Sequence, residues 1–113
     1  MDIKHIIRWA KEYSIELKTL EFFKEFLSKY EKDNFEEYKY IFGEIDKKDL
    51  EYQIHTISLN LGNWPECNSN TISASMWVSY RKKQICTYSV YYTFAGVPVN
   101  YFYDTLKPRK KIN

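Results

Sequence analysis

The sequence predicts an α+β fold in which two to three N-terminal helices pack on one face of a four-stranded antiparallel meander. Two observations carry this reading. The apolar residues recur with a helical period up to Gly43 and alternate with a period of two from Tyr52 onward. In addition, a two-residue turn at Ala95-Gly96 sets Phe94 across from Val97, Tyr92 across from Val99 and Val90 across from Tyr101. Cys86, Tyr88, Val90, Tyr92 and Phe94 then share one face with Val97, Val99, Tyr101 and Tyr103, as a hairpin requires. The 113 residues fit one domain over 1–113, with a helical part over 1–43, a sheet over 52–106 and a basic tail over 107–113.

Residues 2–13 read as the first helix, capped by Asp2, with Ile3, Ile6, Ile7 and Ala10 as its stripe and Trp9 and Tyr13 beside it. The second covers 17–31, where Leu17, Leu20, Phe23, Phe26, Leu27 and Tyr30 share a face and Glu25 and Lys29 form an i,i+4 pair opposite. Asn34 with Glu37 reads as a capping box opening a short helix over 35–42, and Gly43 as its stop. The charged stretch 43–51 reads as a linker. In the first strand, 52–61, the alternation slips by one near His55-Thr56, which predicts a bulge or bend. Residues 62–70 are rich in Gly, Pro and Asn and form a loop. Strands over 71–81, 85–94 and 97–104 follow, the first two joined by a three-residue loop within Arg81–Gln84. Val90, Tyr92, Val99 and Tyr101 are expected to lie buried under the helices.

The opposite sheet face presents Ser73, Ser75, Trp77, Ser79 and Arg81, then Thr87, Ser89, Tyr91 and Thr93, then Asn100, Phe102 and Asp104. In one of two allowed registers, Trp77, Ser89 and Phe102 form a row with Tyr91 one diagonal away. Antiparallel sheets commonly leave one face wet, but wet faces rarely combine Trp and Phe. Three explanations stay open. The first helix, the bulged strand or the 62–70 loop covers these rings. Trp77, Tyr91 and Phe102 anchor a partner protein, with Arg81 and Asn100 on the rim. Or the rings stack the bases of a single strand, with Arg81, Lys82, Lys83, Lys107 and Arg109 supplying charge.

Composition narrows the function classes. Eleven Tyr, 7 Phe and 3 Trp put many rings at a boundary with water. The net charge of +2 does not by itself indicate nucleic acid. It conceals an asymmetry: residues 1–51 hold 13 acids and 10 bases, residues 52–113 hold 2 acids and 7 bases. His5 and His55 have no nucleophile placed beside them by any local signature, so no catalytic residue is assigned. Cys86 faces the core and Cys67 lies in the loop, and no Cys-x-x-Cys or His-Glu-x-x-His spacing points to a metal. Glu36-Glu37 and Asp46, Asp49 and Glu51 sit among lysines, where carboxylates stay solvated. No phosphate-cradling loop occurs, and no cofactor is expected. The N-terminus lacks a signal-peptide core, and no apolar run is long enough to span a membrane, so a reducing, cytoplasmic setting is expected.

The stretches Met76-Trp77-Val78-Ser79-Tyr80 and Tyr88-Ser89-Val90-Tyr91-Tyr92-Thr93-Phe94, with the chain's size and helix-then-sheet layout, resemble small bacterial immunity proteins of contact-dependent and polymorphic toxin systems. The resemblance implies a non-enzymatic inhibitor whose partner is one cognate toxin domain. It rests on format and carries no residue role across. A module binding single-stranded nucleic acid, or a small ligand-binding or enzymatic domain with a cavity between helices and sheet, are the alternatives.

Overall fold

The computed structural model describes residues 2–105. Three helices, α1 (Ile3–Glu12), α2 (Ile15–Asp33) and α3 (Phe35–Phe42), precede a single 3-10 turn at Lys47–Asp49. The strands β1 (Leu50–Asn60), β2 (Thr71–Tyr80), β3 (Lys83–Tyr92) and β4 (Pro98–Thr105) form one antiparallel sheet in the order β1-β2-β3-β4. The chain is therefore an α+β fold with a meander sheet, as the change of period indicates.

The core lies between α2 and the central strands. Ile72, Ala74, Met76 and Val78 of β2 and Cys86, Tyr88, Val90 and Tyr92 of β3 are all buried, in the alternation the sequence shows. Phe23 and Leu27 of α2 lie against them, and Phe23 meets Tyr88 edge-on at 5.2 Å between ring centres. Two buried residues of α2 lie outside the expected stripe. Ile15 starts the helix two residues earlier than expected, and Thr19 hydrogen-bonds the Tyr92 hydroxyl at 2.9 Å in the interior.

Several local expectations are corrected. In α1 it is Trp9 that is buried, donating its indole N–H to the Phe94 carbonyl at 2.8 Å, while Ile3 and Ile7 face solvent. The helix packs beside α2 and meets the sheet at the turn end of the β3–β4 hairpin, where the Trp9 ring lies against Tyr92 and, with its hydrogen bond, sets the rotation. The side chain of Asn34 does not close a capping box. This residue also ends α2, its N–H bonded to the Tyr30 carbonyl, so its backbone (φ −136°, ψ 55°) answers to both helices. Leu50 already belongs to β1 rather than to the linker.

The turns and bulges set the registers. The β1 pairing slips between Ile54 and Thr56, where the sequence placed the irregularity. The β2–β3 turn has two residues, Arg81 and Lys82, both left-handed (φ 51° and 67°), followed by an extra residue at Ile85. Together they give the same parity as the expected three-residue loop, so Val78 and Cys86 still share the core face. At the next hairpin Val90 pairs with Tyr101 as expected, but Tyr92 pairs with Pro98 rather than Val99. The turn is longer, closed by Thr93 N–H to the Val97 carbonyl and Gly96 N–H to the Thr93 carbonyl. Val99 becomes a bulge residue. Val99 and Tyr101 are each 56% exposed, contrary to the expectation of burial, because α2 lies mainly over β2 and β3 and reaches β4 only through Phe26 and Tyr30, which meet Tyr101 and Tyr103 from one side.

Candidate functional site

Strand alternation places three rows on the sheet face away from the helices. Gln53, Trp77, Thr87 and Asp104 form the first. Thr56, Ser75, Ser89 and Phe102 form the second, and Ser58, Ser73, Tyr91 and Asn100 the third. Trp77, Phe102 and Tyr91 thus stand in successive rows on β2, β4 and β3. Of the two registers the sequence allows, the one joining Trp77 to Ser89 is not adopted, since Trp77 lies across from Thr87, while Ser89 and Phe102 do share a row with Tyr91 one diagonal away. With strands about 4.8 Å apart and about 6.7 Å between rows, Tyr91 and Phe102 lie about 8 Å apart and Trp77 about 12 Å from Phe102.

The rings are open to differing degrees. Phe102 is 60% exposed, Trp77 is 41% exposed, and Tyr91 is half-buried. The first helix does not cover them, because Trp9 anchors it at the Phe94 carbonyl on the hairpin turn. The bulged strand does reach Trp77. The extra residue His55 lays its imidazole on the indole, centroids 4.6 Å apart and planes at 27°, and its Nδ1 lies 2.7 Å from Thr56 Oγ1. One side of Trp77 is thus supported and its position held. Between the rings the carpet is itself bonded. Ser75 and Ser89 share a hydrogen bond of 2.8 Å, and the Asn60 amide donates to Thr71 Oγ1 and Ser73 Oγ at 3.3 Å each. Hydroxyls tied to one another leave a flat surface from which the rings project.

Of the two rim residues, Asn100 lies beside Tyr91 and is exposed, its Oδ1 accepting the Tyr101 N–H at 2.9 Å. Arg81 does not join the rings. It sits in the left-handed turn, where strand alternation no longer sets its direction, and its guanidinium lies 5.1 Å from the centre of the Tyr80 ring.

A feature outside the periodic elements is Trp64, 74% exposed in the 61–70 loop, which also carries Leu61 at 50% exposure. Asn63 and Cys67 hold left-handed backbone there, and Cys67 N–H bonds the Asn63 carbonyl at 2.9 Å. Loop residues have no face to assign, so only an indole next to Pro65, in a segment too polar to bury it, could have signalled this. On the helix side, an open groove of about 510 Å³ runs between α2 and β4, lined by Phe22, Phe26, Val90, Val99 and Tyr101, with Glu25 and Lys29 at its rim.

Chemically, the exposed histidines lie apart. His5 pairs with Asp2 at 3.0 Å at the start of α1, and His55 belongs to the Trp77 stack. Both cysteines are free thiols, and burial pushes Cys86 up to about 12, which keeps it protonated at neutral pH. Among the described residues no three His, Cys, Asp or Glu side chains gather as metal ligands would, and no helix is long and apolar enough to cross a membrane. No protein-family model matches the chain, and no curated protein or solved structure is significantly similar to it.

Proposed function

We propose that this chain is a non-enzymatic protein-binding inhibitor, an immunity protein that binds one cognate toxin domain in the cytoplasm and blocks it. The observation that supports the reading is the sheet face away from the helices, on which Trp77 and Phe102 keep much of their surface in solvent amid a bonded carpet of Ser and Thr. Large rings amid small polar groups match the anatomy of binding hot spots. The supported indole of Trp77 has little freedom to lose on docking.

A toxin domain encoded by the neighbouring reading frame is the partner to test. Its expression should arrest growth, and co-expression of this chain should restore it. Trp77→Ala should remove that protection and weaken capture of the purified toxin by about 2 kcal/mol or more, roughly 30-fold. Its unfolding free energy should fall by only about 0.5–1.5 kcal/mol, the order of the lost stack with His55. A stability loss of roughly 3–5 kcal/mol would instead make Trp77 a core residue and sink this assignment.

The second reading, a platform for single-stranded nucleic acid, draws on the exposed Arg81, Lys82 and Lys83 at one end of the sheet. It requires submicromolar affinity that falls steeply with salt as counterions are released. The inhibitor reading expects only nonspecific association, with Kd about 10⁻⁴–10⁻⁶ M at physiological salt.

A further inference from the structure

The sheet has two edges, and they are built differently. β1 carries Glu51, Gln53 and His55 and is bent by its bulge, devices that blunt an edge against pairing. In β4 the irregularity falls at Val99, and from Asn100 to Thr105 the strand runs in register with β3. This stretch holds one charged residue, Asp104, and no lysine. The Tyr101 N–H takes Asn100 Oδ1 as its acceptor, which places it on the outer edge rather than in the ladder with β3, where pairing with another strand would exchange this side-chain acceptor for a backbone carbonyl. Beside it Val99, Tyr101 and Phe102 keep 56%, 56% and 60% of their surface in solvent. Extended backbone with apolar side chains on both faces is the template for another extended strand.

We propose that β4 is the seam of a two-fold dimer, in which the β4 strands of two copies pair antiparallel with Phe102 on the axis. The sequence of the strand matches itself in this register. The two Phe102 rings face each other on the wet side as a cross-strand aromatic pair. Asn100 stands across from the second copy's Asp104, so the only charge of the strand meets an amide donor rather than its own image. On the helix side Tyr101 stands across from the second copy's Tyr103.

The area fits a dimer that forms and dissociates. At the exposures given, the Tyr101 and Phe102 rings of two copies present about 350–600 Å². Val99, Asn100, Asp104 and the strand backbones bring the total toward the roughly 1,000 Å² at which specific interfaces begin. An interface of this size is a weak, concentration-dependent one. The inference does not depend on the inhibitor reading, though it would carry the wet faces of both copies into one surface.

Sedimentation of the wild-type chain from micromolar to millimolar concentration should show its mass rising from 13.7 kDa toward twice that value. Cross-linking reads the register. In a Cys67→Ser background, Phe102→Cys should form a disulfide between copies under mild oxidation. Residues facing each other there lie about 4.5 Å apart at Cα, inside the disulfide window of about 4.4–6.8 Å. Tyr101→Cys, which faces a different residue, should cross-link at least ten-fold more slowly. Phe102→Lys puts like charges on the axis and should stay monomeric at every concentration, its helix and sheet content unchanged by circular dichroism. A wild-type chain that stays monomeric throughout overturns the proposal, whatever the variants do. So does a Tyr101→Cys chain that cross-links as fast as Phe102→Cys, or a folded Phe102→Lys chain that still dimerises.

Discussion

Gly96 shows how one residue can join two elements. Its φ of 78° is left-handed, a region that costs a residue with a Cβ about 1–2 kcal/mol. It is buried, and a Cβ added there would run into the Tyr13 ring at the end of α1. The β3–β4 turn and the first helix therefore meet where a side chain is missing, next to the bond from Trp9 to the Phe94 carbonyl. Gly96→Ala should lose roughly 2–4 kcal/mol, strain and overpacking acting together. Equilibrium unfolding in urea measures it. Adding Tyr13→Ala should return the overpacking part and leave the backbone part. A loss under about 1 kcal/mol in the single variant would mean that the turn relaxes and the contact with α1 is loose.

At the scale of elements, the β2–β3 turn has the right geometry with the wrong residues. A two-residue turn with both positions left-handed suits the twist of antiparallel strands and favours Asn-Gly, yet Arg81 and Lys82 occupy it. Replacing them with Asn-Gly should stabilise the fold by about 1–2 kcal/mol, read as a higher urea midpoint. The same change should leave toxin capture intact, because Arg81 lies against Tyr80 and away from the rings, whereas a nucleic-acid platform would lose affinity with the cations. This turn also shows what could be read from sequence and what could not. The parity of β2 and β3 was legible because Ile72, Ala74, Met76 and Val78 and their partners alternate strictly, and parity is all that alternation encodes. The division of the offset between a tight turn and a bulge at Ile85 leaves parity unchanged, so the pattern is silent on it. At β4 the pattern misled. Val97, Val99, Tyr101 and Tyr103 alternate cleanly, but alternation does not say how far the helix layer extends or that a bulge at Val99 will shift the phase. For the candidate site, the shared face of Trp77, Tyr91 and Phe102 was legible, and the stack of His55 on Trp77 was not. The slip at His55-Thr56 marked a bulge without saying where its extra side chain would go.

For the molecule as a whole, the use of tyrosine as a core residue sets how stability responds to pH. Tyr88 and Tyr92 lie in the interior at 3% and 0% exposure, with the Cys86 thiol beside them at 0%. Burial disfavours the phenolate and raises Tyr88 to about 12, with Tyr101, Tyr92 and Glu25 adding to the effect, and burial raises Cys86 to about 12. Tyr92 moves upward too, burial outweighing the hydrogen bond it shares with Thr19, and half-buried Tyr52 follows, chiefly through burial with Cys86 adding to it. In the unfolded chain these groups release their protons near pH 9 for the thiol and near 10 for the phenols. Between there and pH 12 the folded chain binds more protons than the unfolded one, so the unfolding free energy falls as pH rises. The contribution is intact below about pH 9 and is lost through the window from about 9 to 12, on the order of 7 kcal/mol at most for Tyr88 and Cys86 together. Urea midpoints taken from pH 7 upward should stay level and then drop steeply. Tyr88→Phe removes one titrating group and keeps the ring that meets Phe23 and Phe26, so it should flatten that drop, and Cys86→Ala should flatten its earlier part. The slope is the informative quantity, because either variant can also lower stability at neutral pH by packing alone. A Tyr88→Phe chain with an undiminished alkaline slope would show that the buried phenol keeps an ordinary pKa and that water reaches the sheet beneath α2.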